Sequence, residues 1–163
     1  MSPPLERLWA AWRADYVSGA EPGPEDGSCV LCRVVEEGSH LVWRGAHCAV
    51  VLNAYPYTNG HVMVLPVRHM SELEDLDGAE SAELWSATLD AVRAIREAYR
   101  PDGLNMGANL GRPAGAGLPG HLHVHVLPRW DGDTNFMTAV AGTRVLPESL
   151  PASAERLRAA WPA

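Results

Sequence analysis

The sequence predicts an α+β fold in which an antiparallel β-sheet of about five strands is packed by one long helix and short terminal helices. Short apolar runs that suit strands lie on both sides of one long helical pattern. The first two of these runs are joined by a short loop, which favours antiparallel pairing. A chain of 163 residues has the length of one domain with a sizeable core, so we expect a single domain over 1–163.

Apolar runs bounded by turn-forming residues mark the expected strands. The runs over 48–52 and 62–66 predict two neighbouring strands. The loop between them, 54–60, contains prolines, glycine and an Asn-Gly pair, which favours an antiparallel hairpin. Further strands are expected over 104–109, 122–128 and about 136–145.

The clearest helical pattern runs from about residue 79 to residue 100, and Pro101 blocks its continuation. Shorter helices are expected over 5–16 and about 152–161. We therefore divide the domain into an N-terminal helix and loop over 1–28, a core over about 29–147, and a C-terminal helix. The apolar residues that line one face of the long helix are Trp85, Leu89, Val92, Ile95 and Tyr99.

Composition and charge narrow the classes of partner. The formal net charge of −7 argues against a nonspecific grip on nucleic acid, which needs clustered cations. It leaves room for a phosphate-bearing small ligand, because a local pocket can oppose the global sign. No apolar run approaches the length of a membrane span, and the N-terminus lacks the pattern of a signal peptide. We expect a cytoplasmic protein that binds neither membranes nor nucleic acid and needs no organic cofactor.

Three histidines alternate with aliphatic residues in the run from His121 to His125. Side chains on a strand alternate between faces, so His121, His123 and His125 are expected to share one face. A lone histidine on a strand is usually structural, but three in strict alternation favour a functional role. Two kinds of chemistry remain open at this point. The row could bind a metal ion, or one imidazole could act as a nucleophile that its neighbours orient.

The loop that precedes this run favours the nucleophile. Residues 114–117 alternate alanine and glycine, so the backbone N–H groups are free of bulky side chains. Loops of this kind cradle phosphate oxygens. A glycine-rich loop that leads directly into a row of histidines therefore predicts a site in which a neutral imidazole attacks phosphorus while N–H donors oppose the charge on the nonbridging oxygens.

The cysteines give a second motif. Cys29 and Cys32 have the spacing of half a tetrahedral zinc site or of a redox pair, while Cys48 lies inside an apolar strand. A redox pair is expected at the start of a helix that follows a strand, and Gly27 and Ser28 give no such strand. The sequence therefore favours zinc over redox chemistry.

Taken together, these residues resemble the histidine triad (HIT) family over nearly the whole chain. The stretch His121-Leu-His-Val-His-Val-Leu-Pro128 is similar to the His-x-His-x-His-x-x motif of that family, and 53–66 is similar to its first half-site. Asn109-Leu-Gly, Ala114-Gly-Ala-Gly117, the opening Leu8-Trp9-Ala-Ala-Trp12-Arg13 and the cysteine pair resemble the bacterial branch of diadenosine tetraphosphate phosphorylases or hydrolases.

The resemblance implies a role for each matching histidine. His123, the middle histidine, would be the nucleophile that forms a nucleotidyl-histidine intermediate. His125 would contact the phosphate groups and hold the environment of the nucleophile. His61 would be a fourth active-site histidine near the α-phosphate, and His121 would border the substrate.

Substrate contacts outside the histidines also follow from the resemblance. Asn53 would bond the ribose hydroxyls, although asparagine is also a common turn residue at such a position. Asn109 and the backbone of Ala116 and Gly117 would face the phosphates. Many relatives have Gln or Ser in that loop, whereas here, at Ala116 and Gly117, only backbone N–H groups can donate hydrogen bonds to the phosphates.

The resemblance further implies a structural zinc ion bound by Cys29, Cys32, His69 and His121. Such an ion would fix His121 and, through it, the position of His123. It also implies a homodimer, with the long helix and a sheet edge as the candidate interface and Trp9, Trp12 and Trp85 as apolar anchors.

The expected function is cleavage of a dinucleoside polyphosphate at its α-phosphate through His123. Three alternatives remain. They are hydrolysis of a nucleoside phosphoramidate, a nucleotide-binding module without turnover, and a metallohydrolase whose triad binds a catalytic metal.

Overall fold

The computed structural model describes residues 28–133 and 147–162. Its five strands form one antiparallel sheet in the order β1-β2-β3-β5-β4, and with the helices this confirms the predicted α+β fold. The helix and strand expected over 5–16 and 136–145 lie outside the described residues. The elements are α1 (Val30–Glu37), β1 (Leu41–Arg44), β2 (Cys48–Leu52), β3 (Val62–Pro66), α2 (Gly78–Tyr99), β4 (Gly103–Gly107), β5 (Val124–Arg129) and α3 (Leu150–Ala159).

The sheet has a different covering on each face. Strands β2 and β3 are buried throughout, because alternate residues face opposite sides and both sides are covered. On one side α2 and α3 pack over Val50, Val64 and Val126. On the other side α1 packs over the intervening residues, among them Val51 and Met63. The predicted hairpin is confirmed, with Leu52 paired to Val62 across the β2–β3 turn.

Helix α2 begins at a capping box and ends before a proline. The Asp77 carboxylate accepts hydrogen bonds from the N–H groups of Ala79 and Glu80, and the Glu80 side chain accepts one from the N–H of Asp77. Arg100 takes a left-handed conformation with φ of 46°, and Pro101 follows. These local signals fix the length of the helix within one residue of the sequence-based expectation.

The core-facing side of α2 is made of smaller residues than the sequence pattern suggested. Trp85 and Leu89 are 58% and 39% exposed, whereas Ile95 is fully buried. The packed face consists mainly of small side chains, which bring the helix close to the sheet. These residues are Leu84, Ala87, Thr88, Ala91, Ala94 and Ile95.

Other boundaries differ from the expectation. The sequence reasoning missed α1 and β1, and β4 ends at Gly107 rather than at Asn109. The strand expected from Leu122 begins at Val124, so the first residues of the histidine run precede the regular strand. A single 3₁₀ turn, Arg112–Ala114, lies within the loop between β4 and β5. Within residues 28–133 and 147–162, no helix combines the length and the apolar character needed to cross a bilayer.

Candidate active site and metal centre

The histidine run lies beside the two central strands but is only partly a strand. His121 and His123 lie in irregular backbone, which the N–H of Leu122 ties to the carbonyl of Met70 at 2.6 Å. His125 lies in β5 directly opposite Met63, and so on the sheet face away from α2. Strand alternation therefore does not account for the placement of the first two rings, which depend on other contacts.

His123 is held by the backbone of its own segment. The ring is 6% exposed, and its Nδ1 lies 2.7 Å from the carbonyl oxygen of His121. A carbonyl only accepts hydrogen bonds, so Nδ1 carries the proton and Nε2 carries the lone pair. Burial lowers the pKa of His123 below its ordinary value, which favours the neutral ring. A neutral imidazole with an unprotonated Nε2 is chemically a nucleophile.

His61 and His125, which we call the histidine pair, form a directed chain of hydrogen bonds. The backbone N–H of Tyr57 donates to His61 Nδ1 at 3.1 Å, which leaves the ring proton of His61 on Nε2. That Nε2 lies 2.9 Å from His125 Nδ1, so it donates there. The proton of His125 is thereby assigned to its own Nε2. The chain ends in an N–H donor on a ring whose centroid lies 4.9 Å from that of His123.

Burial shapes the electrostatics of the histidine pair. His61 is fully buried, and burial lowers the pKa of His125 to about 4, with the nearby His123 as the second cause. At neutral pH, His125 is therefore neutral and can act as both hydrogen-bond acceptor and donor, as the chain requires.

The turn before β3 brings His61 to this position. Gly60 has a φ of +78°, and a Cβ there would lie 2.7 Å from the ring of Tyr99. A side chain is therefore excluded by both backbone conformation and space. Asn53 directly follows β2, at the start of the same loop, and its Oδ1 accepts from the N–H of Tyr55 at 2.9 Å. Its Nδ2 lies 3.4 Å from His61 Nδ1, so Asn53 lies beside the histidine pair.

The loop from 108 to 120 contains the other residues that were expected to contact the substrate. Asn109 donates from Nδ2 to the carbonyl of Gly115 at 3.4 Å, which closes the loop on itself. Ala116 is buried, whereas Gly117 is exposed and can offer its backbone to a ligand. Gly107, which precedes the loop, pairs directly with His125, and a Cβ at that position would meet nothing within 4 Å. The sheet therefore leaves open space next to the His125 ring.

Four side chains from three separate segments converge to form what we call the metal cluster. Their ligand atoms all lie within 4.8 Å of one another, and within the described residues this is the one such group of three or more. Cys29 occupies the N-cap position of α1, and Cys32 lies in its first turn. The remaining two members are supplied by the segments after β3 and before β5. The members are Cys29, Cys32, His69 and His121.

The donor set of the metal cluster fits a tetrahedral zinc ion. His121 Nε2 lies 2.9 Å from the carbonyl of Pro66, so it carries the proton and directs the Nδ1 lone pair at the cysteines. That Nδ1 lies 3.3 Å from Cys29 Sγ and 3.5 Å from Cys32 Sγ. Zinc with Zn–S and Zn–N bonds of about 2.3 and 2.0 Å separates its ligands by roughly 3.5 Å. Two sulfur and two imidazole donors are the set that zinc prefers.

The cysteine pair does lie at the start of a helix, which is one of the two features that the redox interpretation requires. Two imidazole nitrogens nevertheless lie within 3.5 Å of Cys32 Sγ, from His69 and His121. Burial, and then the adjacent Cys29, raise the pKa of Cys32 to about 11, so its thiolate needs a nearby cation. This arrangement favours a metal ion over disulfide chemistry.

The structure places the predicted histidines and cysteines in two neighbouring groups, and the segment that carries His121 and His123 contributes to both. His123 and the histidine pair lie together, and the metal cluster lies beside them. Both ring nitrogens of His121 have protein partners, which supports a metal-ligand role rather than contact with substrate. Its carbonyl accepts from His123 and so joins the two groups. Tyr57, Gly107 and the Pro66 carbonyl were missed, because backbone groups and an absent side chain leave no motif.

Comparisons with known proteins agree with this geometry. The model of the HIT domain family matches residues 34–132. The chain is 42% identical over 165 aligned residues to the AP-4-A phosphorylase of Mycobacterium tuberculosis, which covers 96% of this chain and 85% of that protein. It is 32% identical over 96 residues to the asymmetrical bis(5'-nucleosyl)-tetraphosphatase of Schizosaccharomyces pombe, covering 59% and 52% of the two chains. Among solved structures, a zinc-bound histidine triad family protein from Mycobacterium smegmatis matches with a TM-score of 0.67 and 31% identity, covering 82% of this chain and 92% of that one.

Proposed function

Because this chain belongs to the HIT domain family, we propose that it cleaves dinucleoside polyphosphates at the α-phosphate through a nucleotidyl intermediate on His123. The observation that carries this proposal is the hydrogen bond from His123 Nδ1 to the carbonyl of His121, which leaves Nε2 unprotonated. The names of the mycobacterial and fission-yeast relatives support the substrate class.

The first step forms one bond and breaks one. The Nε2 lone pair of His123 attacks the α-phosphorus to form a P–N bond, and the P–O bond to the leaving polyphosphate breaks. His125 presents its Nε2–H towards the phosphate groups, where it hydrogen-bonds the developing negative charge. The nucleotidyl group is then attached to the enzyme, and the remaining nucleotide departs as an anion.

The second step returns the enzyme to its starting state. Water or inorganic phosphate attacks the same phosphorus, and the P–N bond breaks, giving the lone pair back to His123 Nε2. The acceptor's proton passes to a base or to solvent. Water yields a nucleoside monophosphate, and phosphate yields a nucleoside diphosphate. The name of the mycobacterial relative supports phosphate as the acceptor.

We assign substrate binding to the groups that border the histidine pair. Asn53 would bond the ribose, Asn109 and the backbone of Ala116 and Gly117 would face the phosphates, and His61 would orient His125. The position of Asn53 beside His61 and the open space beside Gly107 support this arrangement. His121 remains with the metal cluster.

Product analysis separates the acceptors and tests the intermediate. Diadenosine tetraphosphate is incubated with and without inorganic phosphate, and the products are separated by ion-exchange chromatography. We expect adenosine diphosphate only when phosphate is present, and rapid-quench mass spectrometry should find an adenylyl adduct on His123. Absence of the adduct in the wild-type protein during turnover would contradict the proposal.

We further propose that the metal cluster binds a structural zinc ion through Cys29, Cys32, His69 and His121. When bound, zinc would supply a fixed positive centre that locks the orientation of these side chains. The spacing of the donor atoms and the zinc-bound mycobacterial neighbour support this assignment. Elemental analysis of protein purified without added metal should find about one zinc per chain, and a metal-free, fully folded protein would contradict it.

We also propose a homodimer in which the exposed side of α2 and the edge strand β4 form the interface. Ala82, Trp85, Leu89 and Val92 follow one another at helical spacing, and Trp85 and Leu89 are exposed. Sedimentation of the wild type should give twice the chain mass, and Trp85→Asp should give a monomer. A wild-type monomer at micromolar concentration would contradict this proposal.

Finally, we propose that residues 1–163 form a single domain located in the cytoplasm. A zinc site made from two cysteines suits a reducing compartment, because oxidation to a disulfide would remove two of its ligands. Cell fractionation tests the location, and limited proteolysis that yields two separately folded fragments would contradict a single domain.

A further inference from the structure

Tyr57 makes three contacts with the histidine pair, although it belongs to no histidine motif. Its backbone N–H donates to His61 Nδ1 at 3.1 Å. Its ring lies on the same pair, with centroids 4.8 Å from His61 and 6.3 Å from His125 and interplanar angles of 35° and 32°. The Tyr57 residue is 40% exposed, while His61 is fully buried. The tyrosine ring therefore lies between solvent and the rings beneath it.

The backbone contact sets a direction for the whole chain of hydrogen bonds. An N–H group can only donate, so His61 must accept at Nδ1 and carry its proton on Nε2. The next bond is then determined, because His61 Nε2 must donate to His125 Nδ1. The proton of His125 therefore lies on its Nε2. If His61 carried its proton on Nδ1 instead, the contact with Tyr57 would place two protons against each other, and His125 would lose its donor.

The ring contact protects the same chain from water. A hydrogen bond between two neutral imidazoles is weak in water, because water competes for both nitrogens. In a water-excluded site the same bond is stronger, and the His125 ring remains neutral. Cover by a flat ring therefore preserves both the bond and the protonation state on which its direction depends.

We propose that Tyr57 is a positioning residue, whose backbone N–H selects the tautomer of His61 and whose ring shields the His61–His125 hydrogen bond so that His125 presents Nε2–H to the phosphate groups. The proposal rests on the proposed roles of the histidine pair. The tyrosine hydroxyl has no part in it, so a phenylalanine should serve in its place.

The groups around His125 indicate how its pKa should change when the Tyr57 ring is removed. His61 faces it from the turn before β3, His123 from its own segment and Tyr57 from the loop, while Gly107 lies opposite it on β4. The causes of its low pKa are burial and the nearby His123. Loss of the Tyr57 ring admits water to the pair, so the His125 pKa should rise towards its ordinary value.

Long-range ¹H–¹⁵N spectra of the free protein test the proposal directly, because imidazole nitrogen shifts report the tautomer of each ring. In the wild type we expect protons on Nε2 of both His61 and His125. In Tyr57→Ala the His125 titration should move up by about one pH unit, and Tyr57→Phe should restore the wild-type titration. A wild-type His61 with its proton on Nδ1 would overturn the proposal, whether or not the variants fold.

Kinetics distinguish positioning from substrate contact. Tyr57→Ala should lower kcat about tenfold with little change in KM, and Tyr57→Phe should recover most of that loss. Leu73→Ala, on an exposed 3₁₀ turn outside the site, controls for surface substitution. If Tyr57→Ala raised KM and left kcat intact, Tyr57 would be a wall of the nucleotide site and the proposal would be overturned.

Different experiments test the proposed reaction through His123 and the proposed role of Tyr57. Absence of an adenylyl adduct on wild-type His123 contradicts the proposed reaction, whereas the imidazole spectra need no substrate. A chain that forms the adduct but shows the opposite His61 tautomer retains the reaction and loses the role of Tyr57.

Discussion

The metal cluster and the histidine pair differ in the direction of their nitrogen lone pairs, although both lie beside the same short segment. In the metal cluster, the lone pair of His121 and two sulfurs point at one shared centre, and Pro66 takes the remaining ring proton. In the histidine pair, a lone pair on His125 meets an N–H on His61 at 2.9 Å. Convergent lone pairs bind a cation, whereas alternating donors and acceptors orient a proton.

The hydrogen bonds of the histidine pair argue against a metal ion bound between His61 and His125. A metal bound at His61 Nε2 and His125 Nδ1 would require both nitrogens to lose their hydrogen bond and to present lone pairs together. The backbone N–H of Tyr57 prevents this, because it holds the His61 proton on Nε2. The hydrogen bonds of the ring nitrogens therefore distinguish His121, whose lone pair points at the two cysteines, from His61 and His125, which direct a proton.

Substitution of His123, the proposed nucleophile, should give the largest effect and tests the role assigned to the histidines. His123→Asn removes the Nε2 lone pair but keeps a polar side chain of similar reach. We expect turnover of diadenosine tetraphosphate to fall about 10⁴-fold or more, while calorimetry still detects nucleotide binding. His47→Asn is the matched control, because His47 is exposed and its backbone N–H contacts Glu83 rather than the site. Near-normal turnover in the His123 variant would end the mechanism.

The sequence predicted those parts of the site that depend on side-chain identity. The triad, the hairpin ahead of His61 and the four members of the metal cluster were all expected, and the structure brings the four ligands together. The directions of the rings could not be predicted, because they depend on the backbone groups of Tyr57, Pro66 and His121, which every residue type would supply.

The differences between the predicted and the observed fold also have physical causes. Helix α1 was missed because it is only eight residues long. Two signals for it were nevertheless present in the sequence, the spacing of Leu31 and Val35 and the glycine at position 38, which ends the helix in a left-handed conformation. Strand β1 has four residues, too few for alternation to identify it. In α2 large apolar side chains dominate the sequence pattern, but three alanines and a threonine form much of the packed face, because small residues allow close approach to a sheet of buried valines.

Loss of the Cys32 thiolate should give the next largest effect and tests the role assigned to the metal cluster. Cys32→Ser should abolish stoichiometric zinc, lower Tm by on the order of 10 °C and reduce kcat about tenfold, because His121 then holds the nucleophile less firmly. Cys48→Ala is the matched control, since Cys48 lies buried in β2 outside the metal cluster. Its zinc content should equal that of the wild type. If Cys32→Ser kept one zinc per chain, the assigned ligand set would be wrong.

Acid should destabilise the protein through His125. Burial, and then the nearby His123, lower the pKa of His125 to about 4, below the ordinary value of about 6.5. The unfolded chain therefore binds more protons between these values, so the stabilising contribution is complete above about pH 6.5 and is lost as pH falls towards 4. This group alone should reduce the free energy of unfolding by about 2 kcal/mol between pH 7.5 and pH 5.

Urea unfolding at several pH values measures this dependence. His125→Asn should make the curve shallower, because the substituted side chain does not titrate. Burial also lowers the pKa of His123, so part of the slope should remain. An unchanged curve in His125→Asn would show that the burial of this ring is not a source of the pH dependence.

The smallest effect should come from Arg68, which lies outside the metal cluster and the histidine pair but directly precedes His69, a proposed zinc ligand. Its guanidinium donates twice to the buried Glu80 carboxylate at 2.7 Å and once to the carbonyl of Asp75, which holds the segment that carries His69. Arg68→Ala should weaken zinc binding about tenfold in a chelator competition, because His69 becomes less ordered. Arg93→Ala, which removes an exposed ion pair with Asp90, is the control. Equal zinc affinity in both variants would show that the metal cluster is set by its four ligands without support from α2.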